Sequence, residues 1–149
     1  MGTHYKGSKE EKRTLDAYIK MMRASESITA RLNKHLMDND LTLSQFGVLE
    51  ALLHLGPLNQ RALGEKLLKS GGNITMVIDN LEKHGWVKRK RNPEDRRSVL
   101  IHLTEEGRDL IETYFPKHLE LIMDEFSVLS SEEKEKLGEL CKKVGQKEE

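Results

Sequence analysis

The 149 residues give room for one domain of ordinary size and exclude a second. At 36% hydrophobic and 34% charged, the composition is that of amphipathic helices with one solvated face. The 25 basic and 25 acidic residues cancel, but the zero excludes little: 10 basic face 5 acidic residues in 59–103, 7 face 13 in 104–149, and 8 face 7 in 1–58.

A basic middle beside an acidic tail points to a local surface for an anionic partner. The first 13 residues are polar and lack an apolar signal core, and Lys6 stands where a myristoylation pattern needs Ser or Thr. No apolar run reaches the roughly 18 residues of a membrane span. The single Cys141 excludes an intrachain disulfide. These readings place the protein in the cytoplasm, away from membranes.

Leu15, Tyr18, Ile19, Met22, Ile28, Leu32 and Leu36 recur at helical spacing and predict a long first helix, ending near Asp38-Asn39-Asp40. Thr42-Leu43-Ser44-Gln45 is a capping box opening a second helix with Phe46, Leu49, Leu52 and Leu53 inward, and Gly56-Pro57 stops it. A short third helix starts after Asn59. Lys69-Ser70-Gly71-Gly72-Asn73 reads as a tight change of direction, with Ser70 or Asn73 as the cap of a fourth helix running to about His84. Ile74, Val77, Ile78 and Leu81 share its inner face, leaving Asn73, Thr75, Met76 and Asn80 more exposed.

Residues 86–91 and 98–103 read as two strands joined by the polar turn Asn92-Pro93-Glu94-Asp95-Arg96-Arg97. Thr104 caps a fifth helix, with a kink expected at Pro116, and Ser130-Ser131-Glu132-Glu133 is the capping box of a last helix striped by Leu137, Leu140, Cys141 and Val144. The stripe predicts a buried, inert thiol at Cys141.

The order helix, turn, helix, basic hairpin is a winged helix-turn-helix plan, mainly α with a small β-wing. Its second helix would enter a DNA major groove, where Asn73 and Thr75 can hydrogen-bond to base edges or phosphates and Gly71 and Gly72 permit close approach. Phosphate can sit on that helix's N-terminus. Ser70 and Met76 complete this candidate face. Lys88, Arg89, Lys90, Arg91, Arg96 and Arg97 make the hairpin a candidate phosphate or minor-groove contact, with Arg96 or Arg97 inserted while Asp95 holds the loop by hydrogen bonds or an ion pair. The bland alternative is a solvated strand pair.

Three stretches also carry a family likeness: Leu41 to Phe46, Ile74 to Glu82, and Gly85-Trp86-Val87-Lys88-Arg89 leading to Asp95-Arg96-Arg97-Ser98 and Leu103-Thr104-Glu105-Glu106-Gly107. Together they resemble the MarR family of transcriptional regulators over nearly the whole chain. The resemblance implies one domain over residues 1–149, with a reading lobe at about 41–103 and dimerisation helices at about 10–38 and 104–145. It further implies a homodimer on a palindromic double-stranded operator, and a repressor released by a small aromatic or phenolic effector. Tyr18, Met22, His35, Phe46 and His54 are the candidate effector contacts. No cofactor, metal site or catalytic set is expected, so the chain reads as a non-enzyme. A winged-helix protein-interaction module without specific DNA binding is the alternative.

Overall fold

Ser8 starts the first helix: its hydroxyl accepts from the Glu11 amide at 3.1 Å while the Glu11 carboxylate accepts from the Ser8 amide at 2.8 Å. In the computed structural model, which describes residues 2–67 and 71–146, helix α1 then runs over Lys9–Met37. The chain divides into two compact units, one up to Tyr114 and the other from Phe115 on.

In the first unit, Thr42 and Gln45 form the expected capping box of α2, Leu43–Leu55, and Gly56 ends it at a φ of 79° that suits a residue without a Cβ. A two-residue strand that the sequence did not announce follows, β1 at Leu58–Asn59. Asn59 accepts from the Ala62 amide at 2.8 Å and so caps α3, Gln60–Leu67. Helix α4 spans Gly71–Lys83, β2 Val87–Arg91 and β3 Val99–Leu103. The sheet has the order β1-β3-β2, antiparallel throughout, with Leu58 opposite Ile101 and Arg89 opposite Ile101 from the other side. The hairpin strands fall within one residue of their expected limits.

The core of this unit is built from Leu36, Phe46, Leu49, Leu52, Leu63, Ile74, Ile78, Leu81, Val87, Ile101 and Ile111, each at most 2% exposed. Every helix up to the start of α5 contributes, and burial of each such side chain is worth about 1.5–3 kcal/mol. The inner stripe expected for α4 is therefore the one observed, with Val77 half-buried at its margin.

Thr104 opens α5, Glu105–Glu125, by accepting from the Gly107 amide at 3.0 Å. The helix continues through Pro116, so the proline interrupts one amide donor without ending it. In the second unit Ser130 and Glu133 form the capping box of α6, Ser131–Gly145. None of the residues of α6 is buried: Leu137, Leu140 and Val144 are 39%, 49% and 56% exposed, and Cys141 is exposed with them. This corrects the buried thiol expected at Cys141, because an apolar stripe marks a face to be covered and the single chain does not cover it.

Candidate nucleic-acid interface

Helix α4 buries Ile74, Ile78 and Leu81 and thereby turns Asn73, Met76, Asp79 and Asn80 outward. Met76 is 63% exposed. Thr75 differs from its expected exposure. It is half-buried, and its hydroxyl accepts a hydrogen bond from the Gln60 side chain at the start of α3. Gln60 was not singled out in the sequence, where fifteen residues separate it from Thr75 and no periodicity links them. Gly71, Gly72 and Asn73 are already helical, which rules out Asn73 as the cap, and Lys69 of the expected change of direction lies outside the described residues. Ser70 lies outside the described residues.

The hairpin loop is tied by its own backbone and two short side chains. Asn92 and Ser98 close it, with the Asn92 amide donating to the Ser98 carbonyl at 2.9 Å. The Asn92 side chain accepts from the Glu94 amide at 3.0 Å, and Asp95 Oδ1 accepts from the Arg97 amide at 3.0 Å. These are Asx-type turns. Of the two roles open to Asp95, the structure has the hydrogen bond to backbone. Arg96 and Arg97 stand exposed at the tip.

Pleating divides the remaining cations of the hairpin. Val87, Arg89 and Arg91 alternate with Lys88 and Lys90, so the two lysines project from the opposite sheet face. Val87 is buried and Arg89 reaches α4, which puts Arg91 on the α4 side. Arg89 is already engaged: its guanidinium bonds Asp79 at 2.7 Å and Glu82 at 2.9 Å, and its backbone amide donates to Glu82 at 3.2 Å. Lys88, Lys90, Arg91, Arg96 and Arg97 are exposed, whereas Arg89 is half-buried.

The base of the hairpin is clasped by the start of α5. The Thr104 hydroxyl donates to the Gly85 carbonyl at 2.6 Å, and the Thr104 amide to the Trp86 carbonyl at 3.1 Å. His84 stacks on Trp86, with ring centroids 4.4 Å apart and planes 14° from parallel.

This arrangement can be set beside known proteins. The MarR family model matches residues 41–99, from just before α2 through the hairpin loop to the first residue of β3. The HTH-type transcriptional regulator MhqR of Bacillus subtilis is 39% identical over 133 residues, covering 89% of this chain and 92% of the relative. The chain belongs to the MarR family. Among solved structures, a cysteine-to-serine mutant of Escherichia coli MarR, in complex with operator DNA, superposes with a TM-score of 0.78 at 28% identity, covering 89% of this chain and 95% of that one. Bordetella bronchiseptica BpsR, whose DNA binding is regulated by 6-hydroxynicotinic acid, superposes with a TM-score of 0.77 at 26% identity, covering 87% and 98%.

In this MarR-family chain the five candidate effector residues do not converge. Tyr18 and His35 lie on the same helix, α1, about 25 Å apart along its axis at 1.5 Å per residue, beyond the reach of one small molecule. Phe46 is 1% exposed and belongs to the core. Tyr18 and Met22 are 57% and 39% exposed, and His54 is exposed in the last turn of α2. His35 is half-buried, and its Nε2 has no hydrogen-bond partner among the described residues. An open cleft of about 590 Å³ is lined by Lys9, Lys12, Arg13, Asp16, Ala17 and Lys20, and one of about 420 Å³ by Tyr5, Glu10, Glu11, Thr14 and Leu15; Tyr18, Met22, His35, Phe46 and His54 line neither.

Proposed function

We propose that the protein is a homodimeric, sequence-specific DNA-binding repressor that leaves a palindromic operator when a small aromatic or phenolic ligand binds. The observation that carries this reading is the juxtaposition of an outward α4 face, Asn73 and Met76 beside the Gln60-held Thr75, with a preorganised hairpin tip bearing Arg96 and Arg97. Family membership supplies the second support, and the E. coli relative crystallised with operator DNA the third.

On this reading α4 enters the major groove, and the positive end of its dipole at Gly71 and Gly72 attracts a phosphate. The hairpin meets the next phosphates or the minor groove through Arg96 and Arg97, with Lys88, Lys90 and Arg91 adding charge. Residues 41–103 form the reading lobe, and about 10–38 and 104–145 dimerise within a single domain of 149 residues. The exposed Leu137, Leu140 and Val144 of α6 support that assignment, since an uncovered stripe at i, i+3 and i+7 suits a symmetric partner. Two lobes then address half-sites about one helical turn, 10–10.5 bp, apart.

An aromatic effector is supported by BpsR, which answers to 6-hydroxynicotinic acid. It would act by binding the DNA-incompatible spacing of the lobes more tightly than the compatible one. A cytoplasmic location follows from access to an operator, and no helix among the described residues is long and apolar enough to cross a membrane.

The test selects bound duplexes from a random pool and titrates salt with the wild type and with Arg96→Ala/Arg97→Ala. Each lost phosphate contact should flatten the salt slope by about 0.9. An unchanged slope with unchanged affinity overturns the hairpin's role, and a pool that yields no enriched sequence overturns sequence-specific binding. Repeating the titration against phenols, quinones and aromatic carboxylates tests release.

A further inference from the structure

Thr75, Asp79 and Glu82 lie at i, i+4 and i+7 on α4 and therefore form one stripe along it. The end that offers Thr75 to DNA thus continues, one and two turns later, into two carboxylates. Left alone, these would repel the phosphates that the neighbouring amides and the hairpin attract. They are not left alone. Arg89 of β2 spans both, at 2.7 Å to Asp79 and 2.9 Å to Glu82, using two different guanidinium nitrogens.

Two further observations make this more than a surface ion pair. The Arg89 side chain is 27% exposed, against 51% for Asp79 and 43% for Glu82, so the cation is the most enclosed of the three. In addition, Glu82 accepts from the Arg89 backbone amide at 3.2 Å. Among the described residues strand β2 is an edge of the sheet and pairs only with β3, so this amide has no strand partner there on its outer side. One carboxylate therefore closes the sheet edge and holds the guanidinium at the same time.

We propose that Arg89, alone among the hairpin's basic residues, is a positioning residue and not a phosphate contact. It cancels the two acids on the reading helix and locks the wing to that helix at a fixed separation. The inference rests on the DNA-binding reading above and deepens it. The guanidinium is suited to this because its planar fork meets two carboxylates at once, whereas a lysine ammonium is a single point charge.

The experiment titrates a fluorescent mixed-sequence duplex with the full chain over a range of salt. It compares wild type, Arg89→Gln, Arg89→Lys, Asp79→Asn/Glu82→Gln, and the combination of each Arg89 variant with that acid pair. Arg89→Gln should weaken binding about tenfold with no change in salt slope, because no phosphate contact is lost. Arg89→Lys should also weaken it, although its charge is kept. The acid pair should raise affinity more in an Arg89 variant, where the acids stand uncompensated, than in wild type, where their removal also breaks the lock.

A slope flattened by about 0.9 per protomer in Arg89→Gln would overturn the proposal, as would Arg89→Lys binding like wild type. So would effects of the acid pair that agree within about twofold across backgrounds, the additivity expected of independent sites or of a general loss of folding. Circular-dichroism melts accompany the titrations, and if Arg89→Gln does not fold, Arg89→Lys carries the cycle. Wild type that fails to bind any duplex at low salt removes the DNA-binding reading and this inference together, whereas the three outcomes above remove the inference alone.

Discussion

Gly107 lies against the Trp86 carbonyl so closely that a Cβ there would stand 1.9 Å from its oxygen and 2.8 Å from its carbon. The obstacle is backbone, already fixed by the Thr104 amide at 3.1 Å, and cannot rotate away. Ordinarily a helical Gly→Ala replacement gains up to about 1 kcal/mol. At Gly107 the sign should reverse. Gly107→Ala is expected to cost about 3 kcal/mol and to lower Tm by roughly 6–12 °C in a thermal melt. A neutral or stabilising result would mean that the start of α5 can swing off the hairpin base at little cost.

Asp95 allows a charge effect to be separated from a hydrogen-bond effect. Both Asp95→Ala and Asp95→Asn delete one negative charge beside Arg96 and Arg97, which by itself should strengthen DNA binding. Only Asn keeps an Oδ1 to accept from the Arg97 amide, now at 3.0 Å. Asp95→Ala should therefore bind duplex about fivefold more weakly than Asp95→Asn, the equivalent of roughly 1 kcal/mol for one ordering hydrogen bond. Equal affinities in an anisotropy titration would show that the loop holds its shape without this bond.

What was legible in the sequence was local. Thr42 with Gln45 and Ser130 with Glu133 announce their helices because a capping box closes within four residues. The buried stripe of α4 follows from spacing alone, and the hairpin from two β-prone runs around a turn. What was not legible depends on tertiary partners. Strand β1 is two residues long and exists through its pairing with Ile101 and Leu100. Six hairpin cations look equivalent in the sequence; the pleat and the carboxylates of α4 make Arg89 different. Tyr18 and His35 stand far apart within one chain for a simpler reason: both lie on the single helix α1.

Glu50 offers a test by pH. Partial burial on α2 raises its carboxyl above the ordinary value of 4.5, an effect opposed in part by the nearby His54. A carboxyl whose folded pKa is raised contributes stability that is fully present below the unfolded pKa and is lost as pH rises through the folded pKa. At neutral pH the ionised Glu50 is therefore a net cost. Glu50→Gln should raise Tm at pH 7 and leave it close to wild type below about pH 4, where Glu50 is protonated in both states. A gain that is the same at both pH values would assign the effect to packing and not to charge.

Gln60 and Thr75 permit a prediction about recognition as distinct from affinity. A free threonine hydroxyl can rotate to donate or accept in several directions, whereas one that already accepts from Gln60 has fewer orientations left for DNA. The pair spans α3 and α4, so it also fixes where on the helix face the hydroxyl stands. Neither residue carries a charge, and the proposed phosphate contacts of the hairpin come from its cations. Gln60→Ala should thus leave the affinity for mixed-sequence duplex and its salt slope unchanged while reducing the preference for a selected operator about fivefold, or roughly 1 kcal/mol. Paired titrations of the selected and mixed duplexes at one salt concentration measure that ratio directly. A fall in both affinities by the same factor would instead make Gln60 a contributor to the stability of the α3–α4 pair, with no part in choosing the sequence.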